Sequence, residues 1–142
     1  MQIDSEGNSI SSFLMFEGDA EEAVQFYVSI STRSKIESLI KYGAAGPGKE
    51  GSVQLCRFEM NGQSFTAFDS PVQHAFKFTP ALSLFVSAKS KRSRPALQRT
   101  LTRRRILMPL DTYPFAERYA WLTDRFCVSW QLPARQSVVD PP

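Results

Sequence analysis

Two short apolar runs about seventy residues apart, Ser12-Phe13-Leu14 and Ser83-Leu84-Phe85, constrain this chain more than any other feature. Each opens a similar succession of elements, and self-similarity at a fixed spacing marks a repeated supersecondary unit. In the first half, residues 10–16 are apolar and end at Glu17-Gly18, which predicts a strand. Asp19 with Glu22 three positions later forms an N-cap pattern, and Ala20, Ala23, Val24, Tyr27 and Val28 follow at helical spacing. A helix is predicted to about Ile30, with Ala23, Phe26, Tyr27 and Ile30 against a sheet. Strands are predicted over residues 35–42, 52–60 and 63–69. The last two are joined by Asn61-Gly62, a pair suited to the positive φ angles of a type I′ turn. Gly43 to Gly48 is a loop, flexible or facing a ligand.

The second half repeats the order, with strands predicted over residues 81–86, 105–108, 119–123 and 128–132 and a segment standing where the first half has its helix. The chain reads as an α+β fold of two βαβββ modules within one domain of 142 residues. Module 1 covers about residues 9–72, module 2 about residues 79–133, and residues 134–142 form a polar tail. A chain of this length buries roughly two thirds of its unfolded surface without staples.

Eleven Phe is high for the length and points to an aromatic-rich core or cavity. The stretch from Arg105 to Leu132 concentrates Tyr113, Phe115, Tyr119, Trp121, Phe126 and Trp130, a density that suggests a pocket wall. No apolar run approaches the roughly 18 residues a membrane span needs, and the first residues lack the order of a signal peptide. Cys56 and Cys127 have no metal-type spacing and are read as free thiols, so a cytoplasmic protein is expected, with no membrane partner.

The net charge of +3 is an average over unlike parts. Lys89, Lys91, Arg92, Arg94, Arg99, Arg103, Arg104 and Arg105 lie together with no acid among them; without these 8, the 17 basic residues fall to 9 against 14 acidic ones. Such a segment can attract phosphates, but it carries none of the aromatic interleaving that single-strand binders use. Nucleic acid is therefore not the expected partner.

The residues also carry a resemblance. Phe13-Leu-Met-Phe-Glu-Gly-Asp-Ala-Glu-Glu-Ala23, Phe26-Tyr27, Tyr42-Gly43 with Gly46-Pro-Gly48, Gly51-Ser-Val53, Asn61-Gly62, Phe76-Lys-Phe-Thr79, Met108-Pro-Leu-Asp-Thr-Tyr-Pro-Phe115 and Asp124-Arg-Phe-Cys-Val-Ser-Trp-Gln131 resemble the PhnB-like branch of the vicinal-oxygen-chelate (glyoxalase/bleomycin-resistance/dioxygenase) superfamily. Its members often carry the label 3-demethylubiquinone-9 3-methyltransferase-like. No Gly-rich turn follows the first strand here, as a usual methyltransferase cofactor site would require.

The resemblance implies that each module curls into half of an open barrel-like cleft, commonly in a homodimer. Superfamily enzymes of lyase, isomerase, dioxygenase or transferase type hold a divalent metal there through four His, Glu or Gln side chains, and the metal acts as a Lewis acid on a substrate oxyanion. Carried over, the ligand positions fall on or near Ser12, Asp69, Ser83 and Gln131, a poor transition-metal set lacking imidazole and charge. A divalent metal is therefore not favoured, a weak hard-cation site being the alternative, and the sequence assigns no other cofactor. The family pattern also departs at two places. Relatives have an acidic amphipathic helix where this chain has residues 89–105, a reversal that two compensating frame changes would explain, since Glu codons read out of frame tend to give Lys and Arg. Relatives have Gly at Cys127, where a side chain is strained if φ is positive.

A small organic molecule in the cleft is the expected ligand. Phe16, Phe68, Tyr113, Phe115, Tyr119, Trp121 and Trp130 are the expected pocket wall, with Asp111 nearby. If the protein is an enzyme, Asp69 with His74 or Arg118 would carry acid-base or anion-holding roles. Structural alternatives stand beside these: Asp69 capping the Ser70-Pro71 turn, His74 bonded locally in its loop, and Arg118 paired with Asp111 at the surface.

Overall fold

Alternation along the strands decides which side of each sheet is buried, and it does so separately in the two halves. The computed structural model describes residues 9–87, 99–101 and 104–134, and the chain divides into two units, residues 1–74 and 75–142.

In the first unit, β1 (Ser12–Phe16) is followed by α1 (Ala20–Ile30), β2 (Lys35–Lys41), β3 (Val53–Met60) and β4 (Gln63–Asp69). The sheet order is β1-β4-β3-β2, with β1 parallel to β4 and the other pairs antiparallel. The parallel pair needs a long crossover, and α1 lies within it. Ala20, Ala23, Val24 and Tyr27 of α1 are buried; the helix packs on β2, β3 and β4, on the sheet face where Cys56, Phe58, Phe65 and Ala67 lie and which Leu14 and Phe16 of β1 share by register. Phe58 and Phe65 sit opposite each other across β3 and β4 and stack with ring centroids 5.3 Å apart.

The start of α1 differs from expectation. Asp19 stands at the N-cap position but its side chain makes no capping bond. The Asp69 carboxylate, arriving from the end of β4, accepts instead from Gly18 N at 2.7 Å and Ala20 N at 3.0 Å. It thereby satisfies backbone donors that a helix start leaves without intrahelical partners. The Asn61-Gly62 turn is as predicted, with φ of 52° and 78°. The loop after β2 folds back on its own module: the buried Tyr42 donates its hydroxyl hydrogen to the Asp69 carbonyl at 3.1 Å. A Cβ on Gly48 would lie 2.5 Å from the Tyr42 ring, so the loop closes over that ring only with glycine there.

The second unit comprises β5 (Ser83–Phe85), β6 (Arg105–Tyr113), β7 (Ala116–Thr123) and β8 (Ser129–Ala134). Its order, β5-β8-β7-β6 with β5 parallel to β8, repeats the first sheet, so the doubled unit inferred from sequence is real. Residues 99–101 are helical and Leu101 is buried. Most of the basic segment, residues 88–98 and 102–103, lies outside the described residues; Arg99, Arg104 and Arg105 are exposed. β6 passes through Pro109 rather than breaking there, which an edge strand permits because one row of its backbone donors has no ladder to join.

Register corrects one equivalence between the halves. In β1, Leu14 and Phe16 face the helix, which leaves Phe13 and Met15 on the opposite, open face. In β5, Leu84 pairs with the buried Trp130, which leaves Ser83 and Phe85 on the open face with Ser129 and Gln131. Ser83 therefore corresponds to Phe13 and not to Ser12. A slip of one residue exchanges the two faces.

Candidate functional site

The open face of the second sheet carries a connected set of polar side chains. Parallel and antiparallel partners share a face, so β5, β8 and β7 place Ser83, Ser129 and Thr123 in one row and Phe85, Gln131 and Trp121 in the next, with Tyr119 beyond. The Tyr119 hydroxyl donates to Gln131 Oε1 at 2.7 Å, and Gln131 Nε2 donates to Ser83 Oγ at 3.2 Å. Ser83 Oγ lies 2.7 Å from Ser129 Oγ, which also accepts from Trp121 Nε1 at 2.9 Å. Burial, and after it the neighbouring Tyr113, push the Tyr119 phenol above its ordinary pKa, so at neutral pH it is the donor this chain of bonds needs.

Aromatic rings border the network. Tyr113 and Phe115 stack with centroids 5.5 Å apart, and both meet Tyr119 edge-on at 5.9 and 5.0 Å. The Tyr113 hydroxyl donates to the Pro109 carbonyl at 2.8 Å, which fixes that ring, while Phe115 is 64% exposed. Tyr113, Phe115, Tyr119 and Trp121 thus form one neighbourhood.

Trp130 does not join it. It points to the opposite face, is 2% exposed, and donates its indole N–H to Asp124 Oδ2 at 2.8 Å. Asp124 Oδ1 accepts from Phe126 N at 2.8 Å and Val128 N at 3.0 Å. The carboxylate thus builds the turn between β7 and β8, in which Cys127 takes a φ of 71°. This explains the Asp124-Arg-Phe-Cys-Val-Ser-Trp130 pattern as one structural device. Arg118 is exposed and alternates with Tyr119, so it belongs to the other side of β7.

In the first unit, Asp69 is 3% exposed and fully engaged: besides Gly18 and Ala20, its Oδ2 accepts from Val53 N at 2.9 Å. It ties the start of α1, β3 and β4 together. Neither the acid-base reading nor the turn-cap reading anticipated this. The clue was its parity with Phe65 and Ala67, which puts it on the covered face. Ser12 shares that parity, as does Phe16, which is 4% exposed and belongs to the core. Phe68 is on the open face and meets Phe13 at 5.0 Å. His74 Nε2 lies 2.9 Å from Ser70 Oγ, and its backbone N donates to Glu17 Oε1 at 2.7 Å, the local bonding weighed as its alternative.

Register therefore assigns Phe13 and Phe68 of the first unit to the places that Ser83 and Gln131 hold in the second. Two rings, a hydroxyl and a neutral amide do not fit a divalent metal, which takes charged or imidazole donors. Among the described residues no three His, Cys, Asp or Glu side chains gather to hold one.

The 3-demethylubiquinone-9 3-methyltransferase family model matches residues 8–133. A PhnB protein from Bacillus cereus, described with the same methyltransferase label, is 46% identical with a TM-score of 0.87, covering 90% of this chain and 100% of that one. Protein PA1353 from Pseudomonas aeruginosa shares the fold at 22% identity and a TM-score of 0.78, over 91% of this chain and 98% of its own. A glyoxylase/bleomycin resistance protein/dioxygenase domain from Frankia sp. EAN1pec does so at 12% identity and a TM-score of 0.61, over 92% and 94% of the two chains. Among curated proteins nothing matches. With a family model spanning nearly all the described sequence and a PhnB protein 46% identical over 90% of the chain, the chain belongs to the 3-demethylubiquinone-9 3-methyltransferase family, in its PhnB-like branch, and shares its fold with glyoxalase-type proteins.

Proposed function

We propose that this protein binds a small organic molecule against the open faces of its sheets, in the cleft its superfamily implies, and does so without the usual divalent metal. The observation that carries the reading is the occupancy of the ligand-type positions: Phe13 against Phe68 in one module, and the Tyr119–Gln131–Ser83–Ser129 bonds in the other. An aromatic wall beside neutral polar groups suits an organic ligand, because ring burial supplies affinity and the few polar atoms fix orientation. The acid-base candidates support binding over chemistry, since Asp69 is spent on three backbone donors and Arg118 projects from the other side of its strand.

The test uses the two tryptophans. Trp121 is half-buried on the open face and Trp130 is in the core, so a ligand on that face should change mainly Trp121 emission. A fluorescence titration with small aromatic compounds should saturate, and Trp121→Phe should remove most of the signal change. A titration flat for every compound, or one carried entirely by Trp130, would rule the reading out.

A further inference from the structure

Proton accounting in the Tyr119–Gln131–Ser83–Ser129–Trp121 network narrows the ligand. This step rests on the binding reading above and asks what the site would recognise. Ser129 is 1% exposed, and its Oγ already accepts from Trp121 Nε1 at 2.9 Å. Its single hydrogen must go somewhere, because a buried hydroxyl hydrogen without an acceptor is costly. Among the described residues the acceptor in reach is Ser83 Oγ at 2.7 Å. Ser129 therefore donates to Ser83.

Ser83 Oγ also accepts from Gln131 Nε2 at 3.2 Å, so both its lone pairs are filled. What Ser83 retains is its own hydrogen, on a half-buried hydroxyl of the open face. Gln131 has a second N–H hydrogen on the same nitrogen, while its Oε1 is taken by the Tyr119 hydroxyl at 2.7 Å. Adjacent Ser83 and Gln131 thus present two hydrogen-bond donors. Across the sheet, Gln131 sits between Phe85 on β5 and Trp121 on β7, and Met108 follows on β6. No charged side chain stands in that row; Arg105 and Asp111 pair with the neighbouring positions Thr123 and Tyr119 on the outer strand.

We infer that the site recognises an uncharged aromatic compound through a carbonyl oxygen, which accepts from Ser83 Oγ–H and Gln131 Nε2–H while the ring lies against Phe85 and Trp121. A carboxylate is disfavoured because Arg105, the described cation at the far end of the Ser83 row, stands three strands or roughly 14 Å away and does not offset its desolvation. A pure hydrocarbon is disfavoured because it would bury both donors unpaired.

Three probes of similar size separate the outcomes: acetophenone, ethylbenzene and benzoate, titrated against the full chain by fluorescence or nuclear magnetic resonance shifts. Acetophenone should bind at least about fivefold tighter than ethylbenzene, the value of one neutral hydrogen bond. Ser83→Ala should cut that preference, leaving the part the Gln131 donor supplies, and Ser83→Thr, which keeps the hydroxyl, should retain it in full, so a general loss of folding is distinguished from a lost donor. Equal binding of acetophenone and ethylbenzene, or tightest binding by benzoate, overturns the carbonyl inference and leaves the aromatic site standing. If none of the three binds, the binding reading and this inference fall together.

Discussion

Cys127 has a φ of 71°, a left-handed conformation that costs a residue with a Cβ about 1–2 kcal/mol and costs glycine little. Glycine would also loosen the unfolded chain, which offsets about 0.4–1 kcal/mol of the gain. Cys127→Gly should therefore raise stability by roughly 0.5–1 kcal/mol in urea unfolding; an unchanged or lower midpoint would show that the turn around Asp124 relaxes the strain. The two carboxylates that hold turns and helix starts are more consequential. Asp69→Ala leaves the Gly18, Ala20 and Val53 N–H groups without their acceptor, and stability should drop by about 3 kcal/mol or more. A loss under about 1 kcal/mol would mean that water replaces the carboxylate. Tyr119 gives a pH signature. Its phenol pKa is raised in the folded protein, so the neutral form contributes stability that is fully present below the unfolded value of 10.0 and is lost as pH rises through the raised folded value. Thermal melts from neutral to strongly alkaline pH should show wild type losing its advantage over Tyr119→Phe only at the alkaline end; an advantage that changes near neutrality would contradict the assignment. The Cys56 thiol, buried and lifted chiefly by desolvation and then by Glu21, titrates in the same direction.

At the scale of elements, the strands were legible because alternation and the Asn61-Gly62 turn are local signals. The helix was legible for a reason only half right: Ala20, Ala23, Val24 and Tyr27 carry its buried stripe, but its capping acceptor is Asp69, 50 positions after Asp19 in sequence, which no local pattern reveals. The site was readable as a neighbourhood of aromatics and unreadable in its faces. Phe16 and Trp130 look like wall residues by type, yet strand parity turns both toward the core. The equivalence of Ser12 with Ser83 failed for the same reason, since a single-residue slip is invisible to composition and reverses every side chain. Polar substitution should therefore separate the faces. Phe68→Ser, on the open face, should reduce aromatic ligand binding with a stability loss of about 1 kcal/mol, whereas Phe58→Ser in the helix-covered core should cost more than about 3 kcal/mol. Similar losses for the two, read by urea unfolding, would contradict the face assignment.

At the scale of the whole molecule, the repeat is the organising fact: two sheets of the same strand order, each with a parallel pair of its first and last strands. On their open faces, the first sheet carries the Phe13–Phe68 ring pair and the second a self-bonded neutral network. The resemblance further implies a homodimer, so light scattering should give twice the 16.0 kDa of one chain; a mass of one chain would remove that expectation. Ligand binding without a metal is tested by titration of the purified protein with an aromatic ligand before and after exhaustive chelation, with metal content read by elemental analysis on the same samples. Substoichiometric divalent metal throughout, with affinity unchanged by chelation, is the result expected; a full equivalent of metal whose removal abolishes binding and whose return restores it would contradict the account.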